Sequence, residues 1–176
     1  MKKILAPSIL LSMVALLAIP ASADDQVIDA TLSNNVSMTA SPTSSVSGWS
    51  LASTGANTTS GGSMTINSNS AYTVTVSGDK TRMSEYETAT TSYVTSGRTL
   101  TNALSVTASR TGGTAVVPGV GAIAVVGTSN TLATGTGLGT DDYSVTLSQP
   151  TAITDESLAS GYTYHIVLTY TASSTL

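Results

Sequence analysis

The chain has no cysteine and no phenylalanine, a single histidine, a single tryptophan and only six basic side chains in 176 residues. Each shortage removes a class of function. Without cysteine there is no disulfide framework and no thiolate chemistry, so an exported domain must stand on its core alone. About 150 residues suffice for that. One histidine and no cysteine fall short of a zinc ligand set, and no other cofactor is expected. Basic residues form no cluster, and a formal charge of −4 disfavours polyanions, so nucleic acid is not an expected partner. Charged residues amount to 9%. A charge-driven disordered tail is nonetheless excluded by the positive mean hydropathy and the many β-branched residues.

Serine and threonine dominate what is present, at about a third of the chain, accompanied by seven tyrosines. The first segment reads as an address. Lys2-Lys3 precede an apolar run from Ile4 to Ile19, and Ala21-Ser22-Ala23 supplies a small-x-small cleavage site. The run is short of the ~20 residues a spanning helix needs. The expected organisation is therefore a signal peptide over 1–23, cleaved after Ala23, and a single domain over 24–176. Loss of Lys2 and Lys3 would take the charge from −4 to −6. The mature protein is expected to be extracellular, without membrane insertion.

Strand patterning runs through the rest. Gly161 to Ala172 alternates with Tyr164, Ile166, Leu168 and Tyr170 on one side and is read as one long strand. Ala71–Val76 repeats the pattern, as do Val36–Ala40, Ser63–Asn67 and Asp142–Ser148. Weaker strands are expected at Gln26–Leu32, at Val46–Leu51 with Trp49 and Leu51 on one face, near Tyr93, and at Arg98–Ala108. Asn57–Gly62, Lys80–Thr90 and Thr128–Thr140 read as loops, and a helical turn is allowed from Thr154. Gly112–Gly127 is uncharged and apolar; it suits either a strand buried on both faces or an apolar edge for a neighbouring subunit. Spacings near ten residues point to an all-β protein, a single antiparallel β-sandwich of about eight to ten strands with little helix.

Reactive groups are few. His165 sits in a strand, and no Gly-x-Ser-x-Gly elbow exists to place a nucleophile. The acidic pairs Asp24-Asp25, Asp141-Asp142, Asp155-Glu156 and Glu85 with Glu87 fall in predicted loops or termini and read as solvated. A secreted hydrolase built on them is a remote alternative. Asp141-Asp142 lacks the spaced pattern of a calcium loop, and Gly135-x-Gly137-x-Gly139 lacks the helix a phosphate cradle requires. Asn35-Val36-Ser37 and Asn57-Thr58-Thr59 are candidate glycosylation triplets at Asn35 and Asn57. No catalytic residue is expected.

Leu158-Ala159-Ser160-Gly161-Tyr162-Thr163-Tyr164 resembles the start of a late strand in immunoglobulin-like surface domains. The resemblance implies that Tyr162 or Tyr164 ties its hydroxyl to nearby backbone. Trp49-Ser50-Leu51 resembles the Trp-x-Leu signature of WxL bacterial wall-surface domains. That family carries a second Trp-x-Leu near its C-terminus, where this chain reads Leu168-Thr169-Tyr170-Thr171. The hydroxyl-rich, acidic, cysteine-free texture is also similar to archaeal surface, sheath and filament subunits. Two functions follow as expectations. One is a non-enzymatic structural or cell-surface protein that self-assembles or adheres through strand edges, donating Asp25–Leu32 or the Val116–Val126 region. A monomer that packs both segments internally is the alternative to such assembly. The other is a binding module for cell-wall polymer or glycan, with Trp49 and exposed tyrosines as contacts; the competing and preferred reading puts Trp49 in the core, because Leu51 shares its face.

Overall fold

The computed structural model describes residues 30, 32–43, 45–113, 123–124 and 128–175. The chain divides into compact units 1–32 and 33–176. The segment expected to be a signal peptide and most of Gln26–Leu32 lie outside the described residues, as does most of Gly112–Gly127.

Unit 33–176 is all-β, and no described residue is helical. Eleven strands occur among the described residues, against the eight to ten expected. They are β1 (Val36–Ala40), β2 (Gly55–Ser68), β3 (Tyr72–Gly78), β4 (Ser84–Glu87), β5 (Ser92–Tyr93) and β6 (Ser105–Gly112), followed by β7 (Ile123–Ala124), β8 (Asn130–Gly135), β9 (Gly139–Thr151), β10 (Tyr162–His165) and β11 (Leu168–Ser174). Every pairing is antiparallel, in three sheets ordered β1-β2-β9-β6-β7, β11-β3-β8 and β10-β4-β5.

Alternation makes the core. Met64 and Ile66 of β2, Val106 of β6 and Tyr143 and Val145 of β9 form one buried cluster with Tyr72, Val74 and Val76 of β3 and Leu132 of β8. The inner faces of the five-stranded and β3-centred sheets therefore pack on each other, as in a β-sandwich. Each such side chain contributes roughly 1.5–3 kcal/mol when fully buried.

Several expectations change. Asn57–Gly62 is not a loop but the first half of β2, paired along its length with β9. Its hydroxyl-rich sequence hid the strand because the face it turns away from the core is wet. A bulge between Ser60 and Gly62 interrupts the ladder, and Gly62 has φ +91°, a conformation that favours glycine. A Cβ there would collide with Thr43, whose N–H donates to the Gly61 carbonyl at 2.9 Å. Thr128–Thr140 likewise contains strand β8, where a register shift opposite Val74/Thr75 lets the adjacent Leu132 and Ala133 both be buried. Within Lys80–Thr90, Ser84–Glu87 is strand β4 rather than loop. Val46–Leu51, by contrast, is irregular and not a strand. Residues 98–104 form no strand beyond a single bridge from Thr99 to Ser84, although Leu100 and Leu104 are buried. The segment after Pro150 makes turns, not a helical one. Pro150 itself sits inside β9, but the β6 ladder stops at Ser148, so its missing N–H costs no bond on that side.

The long C-terminal strand is in fact two, belonging to different sheets. Ile166-Val167 breaks it, and Asp79 makes the break. The Asp79 N–H donates to the Val167 carbonyl at 3.0 Å, and the Val167 N–H donates to Asp79 Oδ1 at 2.8 Å. Two bonds from one acidic residue replace the ladder there.

Candidate functional site

Where the chain changes sheets, the sandwich opens into a groove of about 840 Å³. Its floor holds Leu100, Leu104 and Leu147, buried residues of the main body. One wall is the irregular segment 42–53, which places Trp49 and Leu51 inward. The other is formed by β10 and β11, which present Tyr162, Tyr164, Ile166, Leu168 and Tyr170. Trp49, Ile166, Leu168 and Tyr170 pack on the core yet remain half-buried. The groove is therefore a place where the hydrophobic layer is incompletely covered, with aromatic and aliphatic groups still partly wet. Desolvation pushes the Tyr170 hydroxyl up to about 12.

The free sides of two strands run beside it. β11 pairs with β3 on one side and with no described strand on the other. β1 pairs only with residues Thr65–Ser68 of β2, so Gly55–Ser60 has β9 as its single strand partner. Unpaired strand edges offer N–H and C=O groups to another chain.

The rim is polar and tightly bonded. Tyr164 donates its hydroxyl to the Glu156 carbonyl at 2.8 Å, so of the two tyrosines considered, Tyr164 makes a backbone tie. Burial raises its pKa. The Tyr162 hydroxyl instead points to Glu87 Oε1 at 3.5 Å. Burial pushes the Asp155 carboxyl up, but three donors outweigh it and hold the group below the usual carboxylate range. They are the Ala152 N–H, the Thr101 hydroxyl and the Thr101 N–H, at 2.7–2.8 Å. Glu156 pairs with Arg98 at 2.8 Å, both side chains being largely exposed. Asp155 and Glu156 thus act as structural bonds rather than as a facing carboxylate pair.

His165 ends β10 half-buried, its ring stacked on Tyr86 with centroids 4.3 Å apart. Tyr93 stands 5.6 Å away, donates to Asp79 Oδ2 at 2.7 Å and lies under Lys80 Nζ at 4.4 Å. Burial and the Asp79 bond raise the Tyr93 pKa. Sequence reading missed this aromatic cluster, because its members come from four separate segments.

Asp141 was expected to be a solvated loop acid, and it is not. It lies in β9, 3% exposed, where its Oδ2 accepts from the Tyr72 hydroxyl at 2.7 Å. The Tyr72 and Tyr143 hydroxyls are also 2.7 Å apart, and Arg110 Nε is 3.8 Å from Asp141 Oδ1. Inward alternation continues past Tyr143 to Asp141, and Tyr72, itself bonded to Tyr143, supplies a polar partner of the kind a buried carboxylate needs. Asp142 faces outward and accepts from Thr65 Oγ1 at 2.7 Å. Glu85 is also buried, its Oε2 accepting from the Arg98 N–H at 2.8 Å. Asp24-Asp25 lies outside the described residues.

Of the candidate glycosylation sites, Asn35 is exposed and its N–H donates to Asn69 Oδ1. The Asn57 amide is engaged: Nδ2 donates to the Gln149 carbonyl and Thr151 Oγ1, both at 3.2 Å, and Oδ1 accepts from the Ala52 N–H. Trp49 lies at the groove, half-buried. No described cluster of three or more histidine or acidic side chains is placed to hold a metal. No protein-family model, curated protein or solved structure gives a significant match to the chain.

Proposed function

We propose that this is a non-enzymatic extracellular structural or cell-surface protein, an immunoglobulin-like sandwich that acts by strand-edge assembly or adhesion. The observation that carries the reading is the conjunction of the free β11 edge with the apolar groove beside it. An edge supplies backbone pairing, and a groove beside it supplies side-chain burial; together they are what β-strand addition uses. The leader expected at 1–23 supports an extracellular setting. Carboxylates engaged by backbone and hydroxyl donors, and a histidine stacked on Tyr86, support a structural rather than a catalytic role for these groups. The test is size-exclusion chromatography with negative-stain imaging of the secreted protein over a range of concentrations. Oligomers, sheets or filaments are expected; a monomer throughout contradicts assembly.

A second reading is favoured by the aromatic lining. Trp49, Tyr86, Tyr162 and Tyr164 line the groove together, as sugar-stacking rings do in binding modules for wall polymer or glycan. Co-sedimentation with wall polymer, lost in Trp49→Ala, is its signature.

A further inference from the structure

We infer, on the assembly reading above, that β11 is a self-pairing edge. Two copies of the chain join antiparallel along it about a two-fold axis at Thr171, merging their three-stranded β11-β3-β8 sheets into one.

An edge that stays single is usually shortened, bulged, charged or interrupted by proline. Among the described strands, β5 and β7 have two residues each and β10 has four. β1 and β8 carry register shifts, at Met38/Ala40 and opposite Val74/Thr75. The outer half of β2 is flanked by segment 42–52, whose Thr43 and Ala52 N–H groups bond to it. β11 has none of these protections. Its seven residues contain no charge and no proline, and they pair with β3 without a shift.

Backbone parity decides which groups face out. At the two ends of the β3 ladder, the Asp79 N–H donates to the Val167 carbonyl and the Thr175 N–H to the Ala71 carbonyl. Bonded and non-bonded pairs alternate along an antiparallel ladder, so the odd-numbered residues from 167 to 175 bond to β3. Leu168, Tyr170, Ala172 and Ser174 therefore turn N–H and C=O away from β3, toward a side with no described strand. A partner strand must bond to these four. When β11 pairs with itself, one register engages them all: Leu168 opposite Ser174 and Tyr170 opposite Ala172. Thr171 then meets Thr171 at the axis, and Thr169 meets Ser173.

The side chains suit that register. On the inner face the bulky Tyr170 lies against the small Ala172, and both, half-buried in one copy, gain cover from the other. On the outer face the hydroxyl residues meet in Thr–Thr and Thr–Ser pairs, which favour cross-strand contact. A two-fold interface sets a patch against its own copy. Because β11 is uncharged, that symmetry brings no like charges together within the strand pair, although the whole chain carries −4.

The absence of cysteine makes one engineered thiol a clean reporter in the full chain. Thr171→Cys sets two thiols opposite each other in a non-bonded pair, with Cα atoms about 4.5 Å apart and within disulfide reach. Thr169→Cys alone leaves its two thiols about 13 Å apart along the strands, out of reach. Under mild oxidation Thr171→Cys should give on the order of tenfold more covalent dimer than Thr169→Cys, or than Ser109→Cys at an exposed position of β6. Thr169→Cys mixed with Ser173→Cys should cross-link efficiently. Thr171→Lys and Thr171→Glu should each be monomeric with unchanged circular dichroism, and their equimolar mixture should recover the dimer. Oligomers in which Thr171→Cys cross-links no better than Ser109→Cys overturn pairing through this edge but leave assembly standing. Thr169→Cys cross-linking to itself as strongly as Thr171→Cys overturns the antiparallel register. A parent chain that is monomeric at every concentration overturns the assembly reading as well.

Discussion

The two ends of the sandwich are built from the same residue types and finished differently. Around Ile66, Val74 and Tyr143 both sheets close on each other and exposure falls to 0%. Around Trp49, Leu168 and Tyr170 the same kind of side chain stays half-wet, because an irregular segment and a strand break stand where continuous strands would close the edge. The closed end holds the fold; the open end leaves apolar side chains partly uncovered. The difference lies in backbone pairing rather than in composition.

That contrast sets an order of effects. The largest is expected in the closed end: Ile66→Ala should cost about 2–5 kcal/mol by the lost burial and the cavity left behind. Leu168→Ala, half-exposed at the open end, should cost clearly less in the monomer. Urea titrations of both variants check this, and equal losses would erase the distinction. Next comes the buried hydroxyl pair. Tyr72→Phe removes a donor from the buried Asp141 carboxylate and should cost about 1–3 kcal/mol, read from thermal unfolding.

The same tyrosines predict alkaline behaviour. Burial first, then hydrogen bonding and nearby charge, raise the Tyr72 pKa, and burial raises Tyr143. An unfolded tyrosine ionises near pH 10. Above that pH the unfolded chain binds fewer protons than the folded one, so stability falls with rising pH. The contribution is fully present below about pH 10 and is lost above it. Tyr170, pushed up to about 12, adds to this loss between about pH 10 and 12. Unfolding midpoints measured from pH 8 upward should stay level and then drop; the drop should shrink in Tyr72→Phe.

Smaller effects belong to the rim. Tyr164→Phe loses one bond to the Glu156 carbonyl and should cost about 1 kcal/mol. Arg98→Ala breaks a solvent-exposed ion pair and should cost under about 1 kcal/mol, vanishing in high salt. A double variant whose losses simply add would place the two bonds in independent parts of the rim.

Period-two alternation made the closed end legible before any coordinates. Tyr72/Val74/Val76 and Tyr143/Val145/Leu147 were read correctly because each apolar residue is flanked by a polar one. Strands whose outer face is hydroxyl-rich or whose ladder bulges were read as loops, as with Asn57–Gly62 and Asn130–Gly135. The strand break at Ile166-Val167 was invisible because it depends on Asp79, 88 residues away in sequence. Trp49 was singled out as a residue, but the groove was not, since its floor and two walls come from segments that only the sheets bring together. Asp141 was misjudged for one reason: charge was taken to mean solvent, whereas alternation already placed it inside.

Hydrogen–deuterium exchange across a concentration series puts the two ends in one measurement. The account predicts that the Val74 and Val76 amides are protected at every concentration, while amides of Leu168–Ser174 that do not bond to β3 gain protection only as the protein associates. Protection along β11 that is independent of concentration, or gained equally at both ends, would contradict it.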